Sequence, residues 1–199
     1  MVLETIGLST LVVAASEIGD KTQLLALCLA ARYRAPAPIV LGILAATITN
    51  HVLAAALGVS VASILSPEVL RWVLIISFVL MGFWMLVPDK MDDDKCDVGK
   101  AQRYGVFGAT FVLFFLAEMG DKTQVATIAL AAHYGSVIAV VCGTTLGMLI
   151  ADVPAVFIGD KLSQKISMKL MRWIAAVIFF GLAVAAYFAD APSLPAAAS

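Results

Sequence analysis

The second half of the sequence repeats the first half at a constant offset of 101 residues. The acidic segment Glu17-Ile18-Gly19-Asp20-Lys21-Thr22-Gln23 falls on Glu118-Met119-Gly120-Asp121-Lys122-Thr123-Gln124. At the same offset Tyr33 falls on Tyr134, Gly42 on Gly143, Gly58 on Gly159, and Arg71-Trp72 on Arg172-Trp173. Because this register holds over about 55 positions without a gap, the two halves are duplicates of one structural unit.

The composition of this chain suits lipid better than water as a solvent. Charged residues make up 14% of the 199 residues and hydrophobic residues 62%, and the mean hydropathy is +0.99. Soluble domains contain about 25% charged residues, which they need to cover a single apolar core. The net charge of −1 indicates no nucleic-acid partner. We therefore expect the lipid bilayer to be the partner of this chain.

Six apolar stretches have the length of membrane-spanning helices, which need about 20 residues each. The predicted helices cover residues 5–31, 38–65, 70–87, 105–132, 136–158 and 171–189. The fold class is therefore an all-α polytopic membrane protein, since only helices and closed barrels satisfy the backbone in lipid. We predict repeat one at 1–87, a loop at 88–104, repeat two at 105–189 and a tail at 190–199. Three helices per repeat is an odd number, so the second copy enters the membrane inverted. Many secondary transporters are built from such inverted repeats.

Basic residues alternate between the two sets of loops that connect the predicted helices. One set contains Arg32, Arg34, Lys90, Lys95, Lys100, Arg103, Lys161, Lys165, Lys169 and Arg172, whereas the other contains only Arg71. Loops enriched in Lys and Arg remain in the cytoplasm. We therefore expect loop 88–104 to be cytoplasmic and both termini to be periplasmic. The loop also contains five aspartates, which we interpret as a solvated linker because their spacing is not that of an EF-hand.

Each repeat contains a pair of carboxylates near the middle of its first predicted span. These are Glu17 and Asp20 in repeat one and Glu118 and Asp121 in repeat two. Ionisable groups at this depth cost several kcal/mol and mark functional sites by default. The i, i+3 spacing places each pair on one helical face, and two-fold symmetry would bring all four carboxylates together. Their mutual repulsion requires a cation or protons, so we predict a metal site at the midplane.

Neighbouring polar residues offer further groups for this site. Thr22, Gln23, Thr123 and Gln124 supply oxygen atoms, which hard divalent cations prefer, and neither motif contains Cys or His. Lys21 and Lys122 follow Glu17 and Glu118 by one turn and are predicted charge partners of the carboxylates. Four carboxylates and two ammonium groups would leave a net charge of −2, which one divalent cation or two protons neutralise. Ion pairs that serve only to hold helices together are the alternative interpretation.

Three other polar residues fall inside predicted spans. Asn50 and Asp152 are candidate supporting groups, and Asp152 is the repeat equivalent of His51. A histidine can carry protons near neutral pH, so His51 is a candidate proton relay, although a purely structural buried histidine is more common. Pro154, two residues after Asp152, is expected to kink its helix. We assign no role to His133.

The paired Glu-x-Gly-Asp-Lys-Thr motifs in a duplicated six-span chain resemble those of the small Mn²⁺/Ca²⁺:H⁺ cation exchanger family. This family includes the eukaryotic Golgi manganese/calcium transporters and bacterial manganese exporters, and the resemblance runs from Glu17 to Trp173. It implies proton-coupled antiport of Mn²⁺ or Ca²⁺, with Glu17, Asp20, Glu118 and Asp121 as ligands and the adjacent Thr and Gln residues as helpers. A bacterial member would export Mn²⁺ across the inner membrane. The metal is then a transported substrate, and no cofactor is implied.

Two other functions are compatible with parts of this pattern. An exporter of small organic cations, such as basic amino acids, would also use midplane carboxylates, but the motifs contain no aromatic residues to enclose such a substrate. An intramembrane enzyme would need a nucleophile next to a base or a set of metal-binding histidines. The sequence shows neither arrangement, so we expect a transporter and not an enzyme.

Overall fold

In a computed structural model, the described residues 2–87, 104–158 and 168–188 form α-helices and no strands. The helices are α1 (Val2–Glu17), α2 (Lys21–Tyr33), α3 (Pro36–Ile64), α4 (Pro67–Leu86), α5 (Gly105–Glu118), α6 (Lys122–Tyr134), α7 (Val137–Ile158) and α8 (Met168–Phe188). The all-α prediction is confirmed. Residues 88–103 of the predicted loop and the tail 190–199 lie outside the described residues.

Both acidic motifs interrupt the helices in which they were predicted to lie. The continuous helices expected at 5–31 and 105–132 are wrong, because α1 ends at Glu17 and α5 ends at Glu118. Gly19 and Gly120 adopt φ values of 88° and 75°, a left-handed conformation that favours glycine. The axes of α1 and α2 consequently differ by 72°. Each motif therefore occupies a break between two half-helices.

The other helix boundaries agree with the sequence prediction to within three residues. Proline begins α3 and α4, where its missing N–H would have no helical partner. The Ser66 hydroxyl accepts a hydrogen bond from the backbone N–H of Val69 and caps α4. The α7 helix continues through Pro154. Local sequence signals thus determine the ends of the uninterrupted helices.

The two halves interlock through contacts that are repeated when the halves are exchanged. The α3 helix packs against α5 and α6 of the second half, and α7 packs against α1 and α2 of the first. A Cβ on Gly42 would lie 2.9 Å from the Phe107 carbonyl oxygen, and one on Gly143 would lie 2.5 Å from that of Ile6. Phe107 and Ile6 are themselves repeat equivalents. The glycines therefore act in helix packing, as small residues do between membrane helices.

A further pair of repeat equivalents contact one another directly. Phe78 of α4 and Phe179 of α8 have ring centroids 6.4 Å apart, and both side chains are buried where these two helices pack together. A residue can contact its own repeat equivalent only close to the axis that relates the halves. Equivalent positions of the two halves therefore lie side by side between α4 and α8.

The helix surfaces and lengths are those of a membrane protein. Large apolar side chains such as Leu53, Leu57, Phe83 and Phe157 are exposed. Helices α3, α4 and α7 are long and apolar enough to cross a bilayer, and the bent α1–α2 pair is a fourth candidate. The half-helix α5 is apolar but shorter. The described residues therefore support three or four spans by length and composition.

Candidate metal centre

Three buried carboxylates from the two halves meet at the breaks between the half-helices. Glu17, Glu118 and Asp121 each offer an oxygen atom, and these three atoms lie within 4.8 Å of one another. All three side chains are at most 5% exposed. Glu17 ends α1 and Glu118 ends α5, whereas Asp121 occupies the N-cap position of α6, so helix ends of both polarities meet at this point. We refer to these three residues as the carboxylate cluster.

Each glutamate of the cluster is oriented by the threonine of its own motif. The Thr22 hydroxyl donates to Glu17 Oε2 at 2.6 Å, and the Thr123 hydroxyl donates to Glu118 Oε2 at 2.8 Å. The other oxygen of each glutamate, Oε1, is buried and has no hydrogen-bond partner among the described residues. A buried acceptor without a partner is costly. The unpaired oxygens are therefore available to a ligand.

The two motif glutamines brace the backbone where the helices are broken. Gln23 Oε1 accepts a hydrogen bond from the Gly19 N–H at 3.0 Å, and Gln124 Oε1 accepts one from the Gly120 N–H at 2.8 Å. Gln23 Nε2 also donates to the Ala151 carbonyl oxygen of α7 at 2.9 Å. The amide oxygens therefore stabilise the turns in this structure. That Gln23 and Gln124 also assist in metal binding stays a prediction.

Lys21 pairs with a carboxylate of the opposite half. Its ammonium group forms an ion pair with Asp121 Oδ1, whereas the sequence had predicted a partner one turn away at Glu17. The difference arises because the left-handed Gly19 separates Glu17 and Lys21 into two helices. Lys122 is buried, and its Nζ atom lies 3.5 Å from the Val87 carbonyl oxygen. The two lysines thus have different surroundings.

The fourth predicted ligand, Asp20, lies outside the carboxylate cluster but close enough to Glu118 to repel it electrostatically. Within the described residues, the group of carboxylates that could share one ion does not include it. Asp20 instead lines a cavity of about 240 Å³ together with Ser16, Lys122 and Arg172. From the sequence, Arg172 was assigned only to a basic cytoplasmic loop and not to the site, although its match with Arg71 in the repeat was a usable signal. The structure therefore brings three of the four predicted carboxylates together.

The remaining predicted polar residues are all buried near the middle of α3 or α7. Asp152 is close enough to both glutamates of the cluster to repel them electrostatically, and neither of its oxygens has a hydrogen-bond partner within the described ranges. Asn50 Nδ2 donates to the Phe115 carbonyl oxygen at 3.1 Å. His51 is fully buried, and the described residues provide no hydrogen-bond partner for either ring nitrogen. Its role as a proton relay stays a prediction.

The geometry of the carboxylate cluster suits a hard divalent cation. Oxygen ligands lie 2.3–2.6 Å from Ca²⁺, so two ligands on opposite sides of one ion are about 4.6–5.2 Å apart. The oxygens of the cluster fall within that span, at 4.8 Å or less. Three carboxylates and the paired Lys21 ammonium carry a net charge of −2 when all are ionised. One divalent cation would neutralise this charge.

Comparison with known proteins agrees with this chemistry. The family described as "Divalent cation/proton antiporter GDT1" matches residues 5–93 and 106–193. The chain belongs to this family. The family's two matching segments each contain one acidic motif, and they divide the chain as the internal repeat does. Members of this family are transporters and not enzymes, so the transporter expectation is confirmed.

Several curated relatives extend along most of the chain. A protein of Vibrio cholerae named "Putative manganese exporter" is 48% identical over 188 residues, which cover 94% of this chain and 92% of the relative. "GDT1-like protein 3" of Oryza sativa subsp. indica is 33% identical and covers 87% of this chain and 70% of its own length. A GDT1-like protein of Synechocystis is 28% identical, covering 89% and 94%. No solved structure matches the chain significantly.

Proposed function

We propose that this antiporter exports cytoplasmic Mn²⁺ in exchange for protons, with Ca²⁺ as the second candidate substrate. The observation that supports this most directly is the carboxylate cluster, which combines three buried acidic oxygens with one ammonium group. Its net charge of −2 is neutralised equally by one divalent cation or by two protons. A site with this property binds the two substrates alternately, as exchange requires.

The choice of Mn²⁺ over Ca²⁺ is supported by similarity. The Vibrio cholerae relative carries manganese export in its name, whereas the family description specifies only a divalent cation. Carboxylate oxygens bind both ions, and the selectivity depends on cavity size and rigidity. Asp152, which repels the glutamates from α7, and the more distant Asp20 are proposed as auxiliary acidic groups along the substrate path.

We further propose six spans arranged as two inverted repeats in the bacterial inner membrane, with both termini in the periplasm. The α1–α2 and α5–α6 pairs then each form one broken span, and the carboxylate cluster lies at the midplane. Discontinuous helices whose ends meet a cation are typical of transporters with inverted repeats. The exchange of packing partners between the halves, with α3 on α5 and α7 on α1, supports this arrangement.

Metal uptake into inverted membrane vesicles tests the proposed function. The vesicles are given a proton gradient, acidic inside, and Mn²⁺ uptake is compared among the wild type, Glu17→Gln and Asp121→Asn. Glu68→Gln is the matched control, because Glu68 is an exposed carboxylate in the first turn of α4. We expect gradient-dependent uptake in the wild type and the control, and its loss in both cluster variants, because each variant removes an intramembrane carboxylate of the site.

Competition separates the remaining substrates in the same vesicles. Ca²⁺ that reduces Mn²⁺ uptake when present at a concentration similar to that of Mn²⁺ would identify Ca²⁺ as a second substrate. Absence of gradient-dependent metal uptake, in vesicles shown to contain folded protein, would refute the proposal. Uptake of basic amino acids in its place would identify the protein as an exporter of organic cations.

A further inference from the structure

The packing of the α4–α8 pair breaks the symmetry between the two halves. The α8 helix packs against α1, and α4 packs against α6. If the two halves were arranged symmetrically, α4 would contact α5 and α8 would contact α2 in the same way. Within the described helices these two contacts are few or absent. The α4–α8 pair therefore leans on the half-helices α1 and α6 and stands away from α2 and α5.

The cavity that contains Asp20 lies where the missing contact would be. Its wall includes Leu24 of α2, Met85 of α4 and Ala175 of α8. The repeat equivalents of these residues are Val125, Ala186 and Leu74, and they belong to one packed hydrophobic cluster. Met85 and Ala175 also belong to that hydrophobic cluster, so the difference between the two sides lies in Leu24, which lines the cavity, and Val125, which packs against the hydrophobic cluster.

The Lys21–Asp121 ion pair belongs to the closed side. Lys122 and Asp20 line the cavity, and their repeat equivalents are Lys21 and Asp121. Lys21 and Asp121 contact each other across the halves. Asp121 is also a member of the carboxylate cluster, so the Lys21 ammonium group holds one oxygen, Oδ1, of a carboxylate that a metal would use, while Oδ2 has no hydrogen-bond partner among the described residues.

We propose that Lys21 is a gating residue whose ion pair with Asp121 closes the path between the carboxylate cluster and the side of the molecule where α6 ends. In the opposite state the α4–α8 pair leans on α2 and α5, Lys21 releases Asp121, and Lys122 pairs with Asp20. A metal that enters the cluster from the α6 side competes with Lys21 for Asp121. This inference rests on the proposed function for the identity of the substrate, but the gate itself is defined by the protein alone.

Cysteine labelling of the full-length protein without metal tests the gate. Cys142, the free cysteine among the described residues, is replaced by Ala, and the disulfide-bonded Cys28 is left in place. A single cysteine is then introduced at Leu24→Cys or at its repeat equivalent Val125→Cys, and labelling of the parent protein without it is subtracted. The reaction rate with a small water-soluble maleimide is measured in detergent before and after Lys21→Met. We expect Leu24→Cys to react faster than Val125→Cys while Lys21 is present.

The lysine variant should reverse this order. Lys21→Met should accelerate labelling of Val125→Cys and slow labelling of Leu24→Cys, each by at least about fivefold, the lower range of coupling between two-state elements. Asp121→Asn should have the same effect as Lys21→Met. Lys21→Arg, which preserves the charge, should restore the original order, and Lys122→Met should shift both rates in the opposite direction from Lys21→Met.

The outcomes separate the gate from the substrate. Unchanged labelling rates in both Lys21→Met and Asp121→Asn, with protein that elutes as a single folded species, would overturn the gate whatever the protein transports. The expected reversal in protein that moves neither Mn²⁺ nor Ca²⁺ would support the gate and refute the proposed substrate. If Lys21→Met and Lys122→Met change the labelling rates equally and in the same direction, the change results from the loss of a positive charge alone, and the gate is overturned.

Discussion

Substitution of one carboxylate in the cluster should stabilise the metal-free protein. Two ionised oxygens 4.8 Å apart repel each other by about 3.5 kcal/mol at an effective dielectric constant of about 20. Glu17 repels both Glu118 and Asp121, but the Lys21 ammonium offsets the charge of Asp121. Glu17→Gln therefore removes at least one such repulsion, or the smaller cost of the proton that the metal-free cluster binds to relieve it, so about 3.5 kcal/mol is the upper limit of the gain. The substituted amide still offers an oxygen to the Thr22 hydroxyl, so the local hydrogen bond is retained.

The response to metal should change in the opposite direction. A metal at a hundred times its Kd stabilises a protein by about 2.7 kcal/mol, and Glu17→Gln removes one ligand of that metal. We expect the variant to unfold at a higher temperature than the wild type at pH 8.5 without metal. Addition of Mn²⁺ should raise the unfolding midpoint of the wild type but not that of the variant.

Thermal unfolding of purified protein in detergent measures both effects, and Glu68→Gln serves as the control for an exposed carboxylate. A lower midpoint for Glu17→Gln in the absence of metal would refute the reasoning. That result would show that Glu17 makes a net favourable structural interaction, as expected of an ion-pair scaffold and not of a binding site.

Three further predictions concern the residues that hold the site together. Thr22→Val removes the hydrogen bond that the Thr22 hydroxyl donates to Glu17, worth about 1.5–3 kcal/mol for a charged acceptor, and should weaken Mn²⁺ binding, measured by calorimetry, about tenfold or more. The control Thr49→Val removes an exposed hydroxyl that donates to the Ala45 carbonyl oxygen, and it should leave Mn²⁺ binding unchanged. Gly58→Ala places a Cβ 2.3 Å from the Ile128 carbonyl oxygen and should destabilise by about 1–3 kcal/mol. Gly7→Ala, with open space around it, should unfold at an unchanged or higher temperature. A Cβ at Gly120 would contact no other atoms, but the alanine in Gly120→Ala must adopt a φ of 75°, which is strained for residues other than glycine. This variant should therefore lower Mn²⁺ transport in vesicles while its expression remains intact. Unchanged transport would show that the break in the backbone is not required.

The sequence predicted the uninterrupted helices well because local signals determine them. Pro36 and Pro67 begin helices, and Gly135, with a φ of 63°, ends one. Long apolar runs supply the rest of the signal, since a helix is the form that satisfies the backbone in lipid. Gly19 and Gly120 carried a weaker signal, because an isolated glycine inside a helical run is compatible with either a continuous or a broken helix.

The composition of the site was predictable but its pairing was not. The duplicated motifs indicated Glu17, Glu118 and Asp121, and these do meet. The helical spacing that suggested a Glu17–Lys21 pair no longer applies once Gly19 breaks the helix. Lys21 then reaches a carboxylate 100 positions away in the chain. Such a contact depends on how the halves dock, which no local pattern in one half specifies.

The asymmetry of the site does not arise within the two motifs themselves. The two motifs are identical except for Ile18 and Met119, yet Asp121 joins the carboxylate cluster while Asp20 lines a cavity. Nearly identical motifs in unequal surroundings are what the proposed exchange of conformations between the halves would produce, and residues around the motifs, such as His51 and Asp152, add a chemical difference. The contacts of the exchanged arrangement are nearly the same contacts made by the other half, so the two arrangements should differ little in free energy. A small difference of this kind allows substrate binding to shift the population between them.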